Sequence, residues 1–453
     1  MAAPRVPHSR PSRHRDRICA IPRPALATVA PSGRAGRAGP EGHTGHTGHT
    51  GHRRTHTDRS NPVPETTAFT ESPERQALRA SVADFAAGFG EDYWLACARD
   101  GRKTDELWAA AGRQGYLGVA VPEEYGGGGG GIGDLAAVAE ELQTAGCPLL
   151  LIVVSPAICG SIIGRFRTPA QKQRWLPGFA DGTRKMGFAI TEPDAGSNSH
   201  NIRTTAERDD ATGDWILRGD KVFISGVDEV QDVMVVARTT HNRPGKLRPA
   251  LFVIPTDAPG LHYSPIDLGI LAPEKQFAVQ LDDVRLPADA LVGDADAGIE
   301  QLFAGLNPER IMAAATATGM ARLALRKAVA YTSTREVWGA PIATHQAISH
   351  PLAQSHVETE LARLMTQRAA ALCDAGDFAG AGEAANMAKF AAAEAACTAV
   401  DRAVQAHGGN GLAEEYGLVH LIGNSRMIRI VPVSREMLLN FVAQTGLGLP
   451  RSY

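Results

Sequence analysis

The chain has 453 residues, enough for two or three domains, because a single hydrophobic core stops growing at about 250–300 residues. Its composition, 43% hydrophobic and 21% charged with a formal net charge of −3, is typical of a soluble globular protein and gives no reason to expect a nucleic-acid partner. The most apolar stretch, residues 147–163, is interrupted by prolines and is shorter than the ~20 residues that span a bilayer, so we expect no membrane span.

Residues 1–66 differ in character from the rest of the chain. They contain eleven Arg, no Lys and four acidic residues, a net charge of +7, which leaves about −10 on the remaining 387 residues. So much Arg, His, Pro and Gly cannot bury enough apolar surface to offset the entropy of ordering, and we predict a disordered basic tail. A nucleic-acid arm, a transit peptide and a translated leader without a role all fit this composition, and we favour the last.

Residues 67–186 are predicted to form an α-helical N-terminal domain. The triplet Ser72-Pro73-Glu74 offers an N-cap, a proline at the first helical position and an early acid. Six consecutive glycines at 126–131 predict a flexible loop, and they lack the strand, spacing and lysine of a phosphate-binding loop. The six cysteines of the chain are scattered without a C-x-x-C pair, so we expect reduced thiols.

The two remaining domains are predicted from a change of pattern. Residues 187–298 contain short runs rich in Val, Ile and Phe separated by polar turns, which indicates a β-barrel-like middle domain. Residues 299–453 contain three long stretches dense in Ala and Leu, which indicates a C-terminal four-helix bundle. Strands that are segregated between helices give an α+β fold class.

The segment Gly187–Asn198 reads Gly-Phe-Ala-Ile-Thr-Glu-Pro-Asp-Ala-Gly-Ser-Asn and closely resembles the signature of the acyl-CoA dehydrogenase family. Further segments match that family in order and spacing: Phe223-Ile224-Ser225, Leu306–Arg310, Arg335–Gly339, His345–Ile348, and Gln405–Gly411 followed by Tyr416. The resemblance covers residues from about Phe69 to the C-terminus. It implies the acyl-CoA dehydrogenase fold, with FAD held between the β domain and the two helical domains.

The resemblance also implies which residues contact FAD. Thr191 and Ser225 are expected to hydrogen-bond the flavin ring beside Phe223, and Ser197 to lie between FAD and the acyl-CoA. Ser434 matches a family threonine beside FAD. The rest of the cofactor is expected to contact six residues of the C-terminal region: Arg335, Trp338, Gln346, Gln405, Gly408 and Gly409. Of these, Arg335, Gln405, Gly408 and Gly409 are expected to come from the neighbouring subunit. Phe223 and Ser225 replace the usual Trp and Thr.

The resemblance does not by itself place the catalytic base. The family reaction removes a proton from the α carbon of an acyl thioester, which needs a carboxylate. Most members carry that Glu in a Tyr-Glu-Gly-Thr segment, where this chain has Val431-Pro432-Val433-Ser434, and proline offers neither a base nor a backbone N–H. Other members carry the base at the position that matches Glu309, our candidate. A structural role is the alternative, because Asn307 and Pro308 predict a helix start there, with Glu309 in its first turn.

We therefore predict an FAD-dependent acyl-CoA dehydrogenase that forms a trans-2-enoyl-CoA and passes electrons to an electron-transfer flavoprotein. Asn307, Arg310 and Ser197 are expected to contact the acyl-CoA substrate, and no metal site is expected. The resemblance implies a homotetramer, a dimer of dimers, or a hetero-oligomer with a paralogue, located in the cytoplasm if the source is bacterial. Two alternatives remain: a non-catalytic subunit that binds flavin or acyl-CoA, and a flavin oxidase or monooxygenase of the same fold that reacts with O2.

Overall fold

The computed structural model of the protein describes residues 71–239, 248–295 and 299–451. The predicted basic tail at 1–66 lies outside these residues. No helix within the described ranges is both long enough and apolar enough to cross a membrane.

The N-terminal part of the described chain is helical, as predicted. Its first helix starts where the sequence indicates, because the Ser72 hydroxyl accepts a hydrogen bond from the Arg75 amide at 3.2 Å and Pro73 is the first helical residue. Between the fifth and sixth helices the chain continues as a π-helical segment, Val153–Gly160. The helices are α1 Pro73–Ala87, α2 Gly90–Asp100, α3 Asp105–Arg113, α4 Ile132–Ala145, α5 Leu150–Ile152, α6 Ser161–Phe166 and α7 Pro169–Asp181.

The six glycines at 126–131 do not form the flexible loop predicted from the sequence. They are held by backbone hydrogen bonds to the preceding turn, such as the bond from the Gly130 amide to the Val119 carbonyl at 2.8 Å. A Cβ atom on Gly131 would lie 2.3 Å from the Asp374 side chain. These glycines therefore allow a close backbone approach, which is a packing role that a run of glycines cannot reveal by itself.

The middle part of the chain forms a mixed β-sheet. Its strands are β1 Met186–Ala189, β2 Thr205–Arg208, β3 Trp215–Ser225, β4 Asp232–Thr239, β5 Pro249–Pro255, β6 Leu261–Ile266, β7 Gln276–Leu286 and β8 Leu291–Val292. The strand order is β6-β7-β3-β2-β4-β5-β8, and β1 pairs in parallel with β4. Strands β4 and β5 are buried along almost their whole length, so the core of the sheet lies there.

The C-terminal part is a bundle of long helices: α8 Ile299–Thr334, α9 Gln346–Asp374, α10 Phe378–His407, α11 Val419–Ile430 and α12 Arg435–Phe441. A short hairpin, β9 Glu336–Val337 and β10 Ala340–Pro341, joins α8 to α9. Helix α10 packs against α8, α9 and α11 through a face of small residues, most of them alanine. The predicted α+β fold class is confirmed, whereas the exact domain boundaries stay a prediction.

The predicted helix start at Asn307 is wrong. Helix α8 runs without a break from Ile299, and Pro308 lies inside it. A proline inside a helix removes one backbone hydrogen bond, at a cost of about 3 kcal/mol. The turn before Pro308 is packed closely against another helix, since a Cβ on Gly305 would lie 2.7 Å from the Ile162 side chain. Glu309 therefore lies in the middle of a helix, and the stabilisation of an anion by a helix N-terminus does not explain it.

Candidate active site

The part of the signature segment that follows β1 is fixed to β3 by a buried ion pair. Lys221 is fully buried, and its ammonium donates to the Glu192 carboxylate at 2.8 Å and to the Ile190 carbonyl at 3.1 Å. Burial lowers the pKa of Lys221 to about 8, although Glu192 opposes that shift. Burial also opposes the ionisation of Glu192, but Lys221 and the backbone donors hold its pKa below the ordinary value. Since Val222 also donates to the Thr191 carbonyl at 3.0 Å, Thr191 is held beside β3.

A bulge in β3 turns Phe223 outward next to Thr191. The register between β3 and β7 shifts between Lys221 and Ile224, and Phe223 adopts φ 57°. This left-handed conformation is rare for a bulky residue and is found most often where a function requires it. The Phe223 side chain is 56% exposed. The structure thus presents an exposed aromatic side chain near the C-terminal end of β3, which lies between β7 and β2 in the sheet.

Two residues that carry hydroxyl groups lie close to Phe223 along the backbone. Thr191 lies opposite Val222, and Ser225 lies two residues past Phe223, where its hydroxyl and the Gln276 amide are 3.0–3.1 Å apart. Ser197 is exposed near the end of the signature segment. An open aromatic side chain with neighbouring hydroxyls suits a flat, polar-edged ring, so these residues fit the flavin ring of FAD.

Glu309 lies where α8 meets the start of the signature segment. Its charge raises the pKa of Cys159, after the larger effect of burial, and the Cys159 thiol lies 3.6 Å from the Gly187 carbonyl. Burial raises the pKa of Glu309 itself to about 7, while Arg310 and Lys389 oppose that shift. The carboxyl group of Glu309 is therefore close to the β domain and is poised to gain or lose a proton near neutral pH.

Lys389 connects this region to the segment in which most family members carry their base. It is fully buried on α10, and its ammonium donates to the Val433 carbonyl at 2.7 Å. Burial lowers the pKa of Lys389 to about 8, against the opposing effect of Glu309. Pro432 occupies the position where the usual base is expected. Its neighbour Val433 accepts the hydrogen bond from Lys389, and Lys389 interacts electrostatically with Glu309.

Arg310 and Asn307 bond to each other rather than to an acid. The Arg310 guanidinium is 6% exposed and donates to the Asn307 side-chain oxygen at 3.0 Å, while its Nε has no partner among the described residues. The Asn307 amide donates to the Phe378 carbonyl at 3.2 Å. Two residues along a helix are about 200° apart, so Asn307 points away from the face of α8 that carries Glu309. The structure therefore does not bring Asn307 and Glu309 together.

A cavity of about 90 Å³ lies on the same face of α8 as Glu309. The α8 residues in its wall are Thr316, Met320 and Leu323, which follow Glu309 by seven, eleven and fourteen residues and so share its face. At 1.5 Å per residue the cavity begins about 10 Å from Glu309 along the helix axis. The rest of the wall is largely apolar and comes from α2, α4, α5, α11 and the loop before β7.

The other predicted FAD residues lie at the far end of the bundle. The end of α8, the start of α9 and the end of α10 meet there because consecutive helices run antiparallel. All six residues are exposed, and Trp338 is 91% exposed with φ 54°: Arg335, Trp338, Gln346, Gln405, Gly408 and Gly409. Arg335 follows Glu309 by 26 residues, which is about 39 Å along a helix. One chain therefore does not bring the two groups of residues together.

Ser434 has a structural contact of its own. Its hydroxyl oxygen accepts a hydrogen bond from the Met437 amide at 3.4 Å and so caps α12. The hydroxyl hydrogen remains available as a donor, because only the oxygen takes part in the cap.

The sequence reasoning missed both buried lysines, although each left a signal. Along β3 the alternation of inward residues Trp215 and Leu217 continues to Lys221, which places a charge inside the sheet. On α10, Lys389 falls within a stripe of buried alanines. A lysine at a position that the pattern buries must have a partner, and that requirement could have pointed to Glu192 and Glu309.

Three stretches of the chain match models of acyl-CoA dehydrogenase domains: the N-terminal domain over residues 72–183, the middle domain over 187–284 and the C-terminal domain over 296–447. The acyl-CoA dehydrogenase FadE12 of Mycobacterium tuberculosis is 63% identical over 387 residues, which cover 85% of this chain and 99% of that protein. The glutaryl-CoA dehydrogenase of Desulfococcus multivorans is 32% identical, over 77% of this chain and 90% of that protein.

Solved structures agree with these sequence matches. The butyryl-CoA dehydrogenase of Megasphaera elsdenii superimposes with a TM-score of 0.79 at 27% identity, covering 84% of this chain and 99% of that chain. A glutaryl-CoA dehydrogenase of Mycobacterium smegmatis in complex with FADH2 gives a TM-score of 0.77 at 26% identity, over 86% of this chain and 98% of that chain.

Proposed function

Because the chain belongs to the acyl-CoA dehydrogenase family and is an FAD-dependent oxidoreductase, we propose that it oxidises an acyl-CoA thioester to the trans-2-enoyl-CoA, with Glu309 as the base. The bond between the α carbon and its hydrogen breaks and the proton goes to the Glu309 carboxylate. The β hydrogen leaves with its electron pair, and a carbon–carbon double bond forms. FAD, when bound, supplies the acceptor for that hydrogen and electron pair.

The observation that carries this proposal is the state of Glu309. A general base works best when its pKa lies near the operating pH, and burial raises the pKa of Glu309 to about 7. The neighbouring cations Arg310 and Lys389 oppose the effect of burial, so a substantial fraction of Glu309 is ionised near neutral pH and can accept a proton. Pro432 leaves no carboxyl group at the alternative position, and Glu309 therefore takes the role of base.

The cofactor is proposed to lie between two chains. Thr191, Phe223 and Ser225 would hold the flavin ring, with Ser197 at the boundary with the substrate and Ser434 as a further donor. The six exposed residues at the far end of the bundle would hold the rest of FAD from the neighbouring subunit, because about 39 Å separate Arg335 from Glu309 within one chain. A guanidinium suits this task, since its planar fork makes paired hydrogen bonds with a pyrophosphate.

An oligomer is part of the same proposal. Helix α9 exposes three apolar residues at helical spacing, Val357, Leu361 and Leu364, with 56%, 62% and 44% of their surfaces accessible. Such a stripe on an otherwise polar face favours packing against another helix. We propose a homotetramer arranged as a dimer of dimers, with a paralogue as the alternative second subunit.

The proposed setting of the enzyme is fatty-acid and lipid metabolism in the cytoplasm, with an electron-transfer flavoprotein as electron acceptor. Arg310 and Ser197 are proposed to contact the acyl-CoA directly. Asn307 acts through Arg310, because its side-chain oxygen accepts from that guanidinium.

The test is anaerobic mixing of the FAD-loaded enzyme with short-, medium- and long-chain acyl-CoAs. We expect loss of the oxidised flavin absorbance with at least one chain length, and a trans-2-enoyl-CoA identified by mass spectrometry. Tight FAD binding without bleaching by any acyl-CoA would contradict the proposal and support the non-catalytic subunit. Rapid reoxidation of the bleached enzyme by air, with turnover, would replace the electron-transfer flavoprotein by O2 as acceptor.

A further inference from the structure

Two polar side chains in the wall of the cavity are buried with unused hydrogen-bonding capacity. Gln143 on α4 is 4% exposed, and its amide has no hydrogen-bond partner across the described part of the chain. Glu274 is 9% exposed and accepts one bond from the Leu150 amide at 3.1 Å through one carboxyl oxygen. No Lys or Arg within the described residues forms an ion pair with Glu274.

Two other polar side chains of the same wall, those of Trp94 and Asn424, have hydrogen-bond partners. The Trp94 indole donates to the Pro148 carbonyl at 3.0 Å, and the Asn424 amide donates to the Leu271 carbonyl at 3.3 Å. The contrast is informative because buried polar side chains nearly always have partners, and those without one usually await water or a ligand. A wall that serves only a hydrocarbon chain needs neither a free amide nor a free carboxyl oxygen.

We propose that the cavity receives an acyl chain that carries a hydroxyl group remote from the thioester, and that Gln143 and Glu274 recognise that hydroxyl. This inference rests on the proposed function, because it identifies the cavity as the site of the acyl chain beyond Glu309. The cavity lies on the Glu309 face of α8 and begins about 10 Å from it along the helix axis. A substituent recognised there is therefore far from the carbon atoms that react.

The chemistry of the two groups selects a neutral hydroxyl over a charged substituent. A hydroxyl both donates and accepts, which matches a carboxyl oxygen and an amide N–H respectively. A carboxylate on the chain would be buried without a Lys or Arg among the described residues of the cavity wall to pair with it. An ammonium would have to leave water for a largely apolar cavity, where burial already raises the pKa of Glu274 to about 7 and so favours its neutral form.

The test compares pairs of acyl-CoAs with equal carbon number, one plain and one hydroxylated near the end of the chain. Dissociation constants are measured by calorimetry on the FAD-loaded enzyme reduced with dithionite, because the reduced enzyme cannot oxidise the ligand. We expect at least one chain length at which the hydroxylated partner binds at least about tenfold more tightly, since a site built to bond a hydroxyl discriminates strongly against its absence.

Variants assign the preference to the two residues. Gln143→Leu and Glu274→Leu are each expected to reduce the preference to near unity, and Glu274→Gln to retain part of it. Gln173→Leu, which changes an exposed glutamine on α7, is the matched control and should keep the full preference. Equal or weaker binding of every hydroxylated partner, or a preference that survives Gln143→Leu and Glu274→Leu, overturns the inference.

The failure of this inference is distinguishable from failure of the proposed function. Bleaching of the oxidised enzyme by plain acyl-CoAs without a hydroxyl preference in binding leaves the dehydrogenase intact and removes the hydroxylated substrate class. A hydroxyl preference in binding without bleaching keeps the ligand class and removes the catalytic proposal.

Discussion

The two ends of α8 differ in how far other residues of the same chain bury them. Near its start, Glu309 interacts electrostatically with Cys159 of the π-helical segment and with Lys389 of α10, and burial raises its pKa to about 7. At its end, Arg335 and Trp338 are exposed, and Trp338 is among the most exposed large apolar side chains of the described chain at 91%. At the first end, Arg310 and Lys389 are cations that act on Glu309, whereas Arg335 at the second end is exposed to solvent.

This difference indicates which parts of the site a single chain completes. The proposed base and the proposed support of the flavin ring have their contacts within one subunit, including a buried ion pair. The residues expected to hold the rest of FAD carry suitable hydrogen-bonding groups, but on a single chain they are exposed. We infer that the first end determines the reaction and that the second end serves the cofactor of a neighbouring subunit.

The buried ion pair gives the largest expected change that would break this comparison. Glu192→Ala leaves the fully buried Lys221 ammonium without its carboxylate, and removing one partner of a buried pair costs about 3–5 kcal/mol. We expect chemical denaturation to show a loss of this size in the free energy of unfolding. The double variant Glu192→Met with Lys221→Met is the control and should recover much of the loss, because no buried charge remains.

A loss below about 1 kcal/mol for Glu192→Ala would contradict a self-contained flavin support. The signature segment would then be held by its backbone bonds alone, and the distinction between the two ends of α8 would weaken.

The second prediction concerns the exposed end. Arg335→Ala is expected to weaken FAD binding by about 10–100-fold, because a charge-assisted hydrogen bond to a phosphate contributes about 1.5–3 kcal/mol. FAD affinity is measured by flavin fluorescence titration of the apoenzyme, and turnover at saturating FAD should stay near wild type. Arg368→Ala changes an exposed arginine near the other end of the bundle and should leave FAD affinity unchanged.

Equal FAD affinity in the Arg335→Ala variant would remove the main support for a cofactor shared between subunits. Dilution sharpens the same comparison: if the site spans two chains, FAD release should increase when the oligomer dissociates.

The third prediction is a shift in pH dependence. The Glu309 carboxylate must be ionised to accept a proton, so kcat/KM should fall as the pH drops below about 7. Lys389→Met removes a cation that lowers the pKa of Glu309, so that pKa rises and the acidic limb moves to higher pH, by about one unit. A limb that stays in place, in a variant shown to be folded by circular dichroism, would mean that Glu309 does not control the profile.

The fold could be predicted from the sequence because its patterns are local. The cap at Ser72 and the short runs rich in Val, Ile and Phe each depend on neighbouring residues, and the structure has a helix start and strands there. The two wrong predictions, the helix start at Asn307 and the flexible glycine loop, both depend on tertiary contacts. Pro308 follows a turn of α8 in which Gly305 packs against Ile162, and the glycines at 126–131 are fixed by Val119 and Asp374.

The candidate site was predictable in its parts and not in its assembly. The signature segment and Phe223-Ile224-Ser225 are recognisable motifs, but the bulge that exposes Phe223 follows from pairing with β7. Lys389 has no motif, and its effect on Glu309 depends on the packing of α10 against α8. Spacing along the chain also cannot show that Asn307 and Glu309 point to different faces, because the sequence predicted a helix start between them.

The most direct test of Glu309 as the base is the rate of flavin bleaching under anaerobic conditions in stopped flow. Glu309→Gln is compared with Glu300→Gln, which changes a glutamate on the same helix whose side chain is 72% exposed, at equal FAD occupancy. A positioned general base contributes about 10²–10⁴-fold, so we expect Glu309→Gln to bleach slower than wild type by that factor and Glu300→Gln to match wild type. Bleaching by Glu309→Gln at the wild-type rate would contradict the assignment and show that the proton goes to another group.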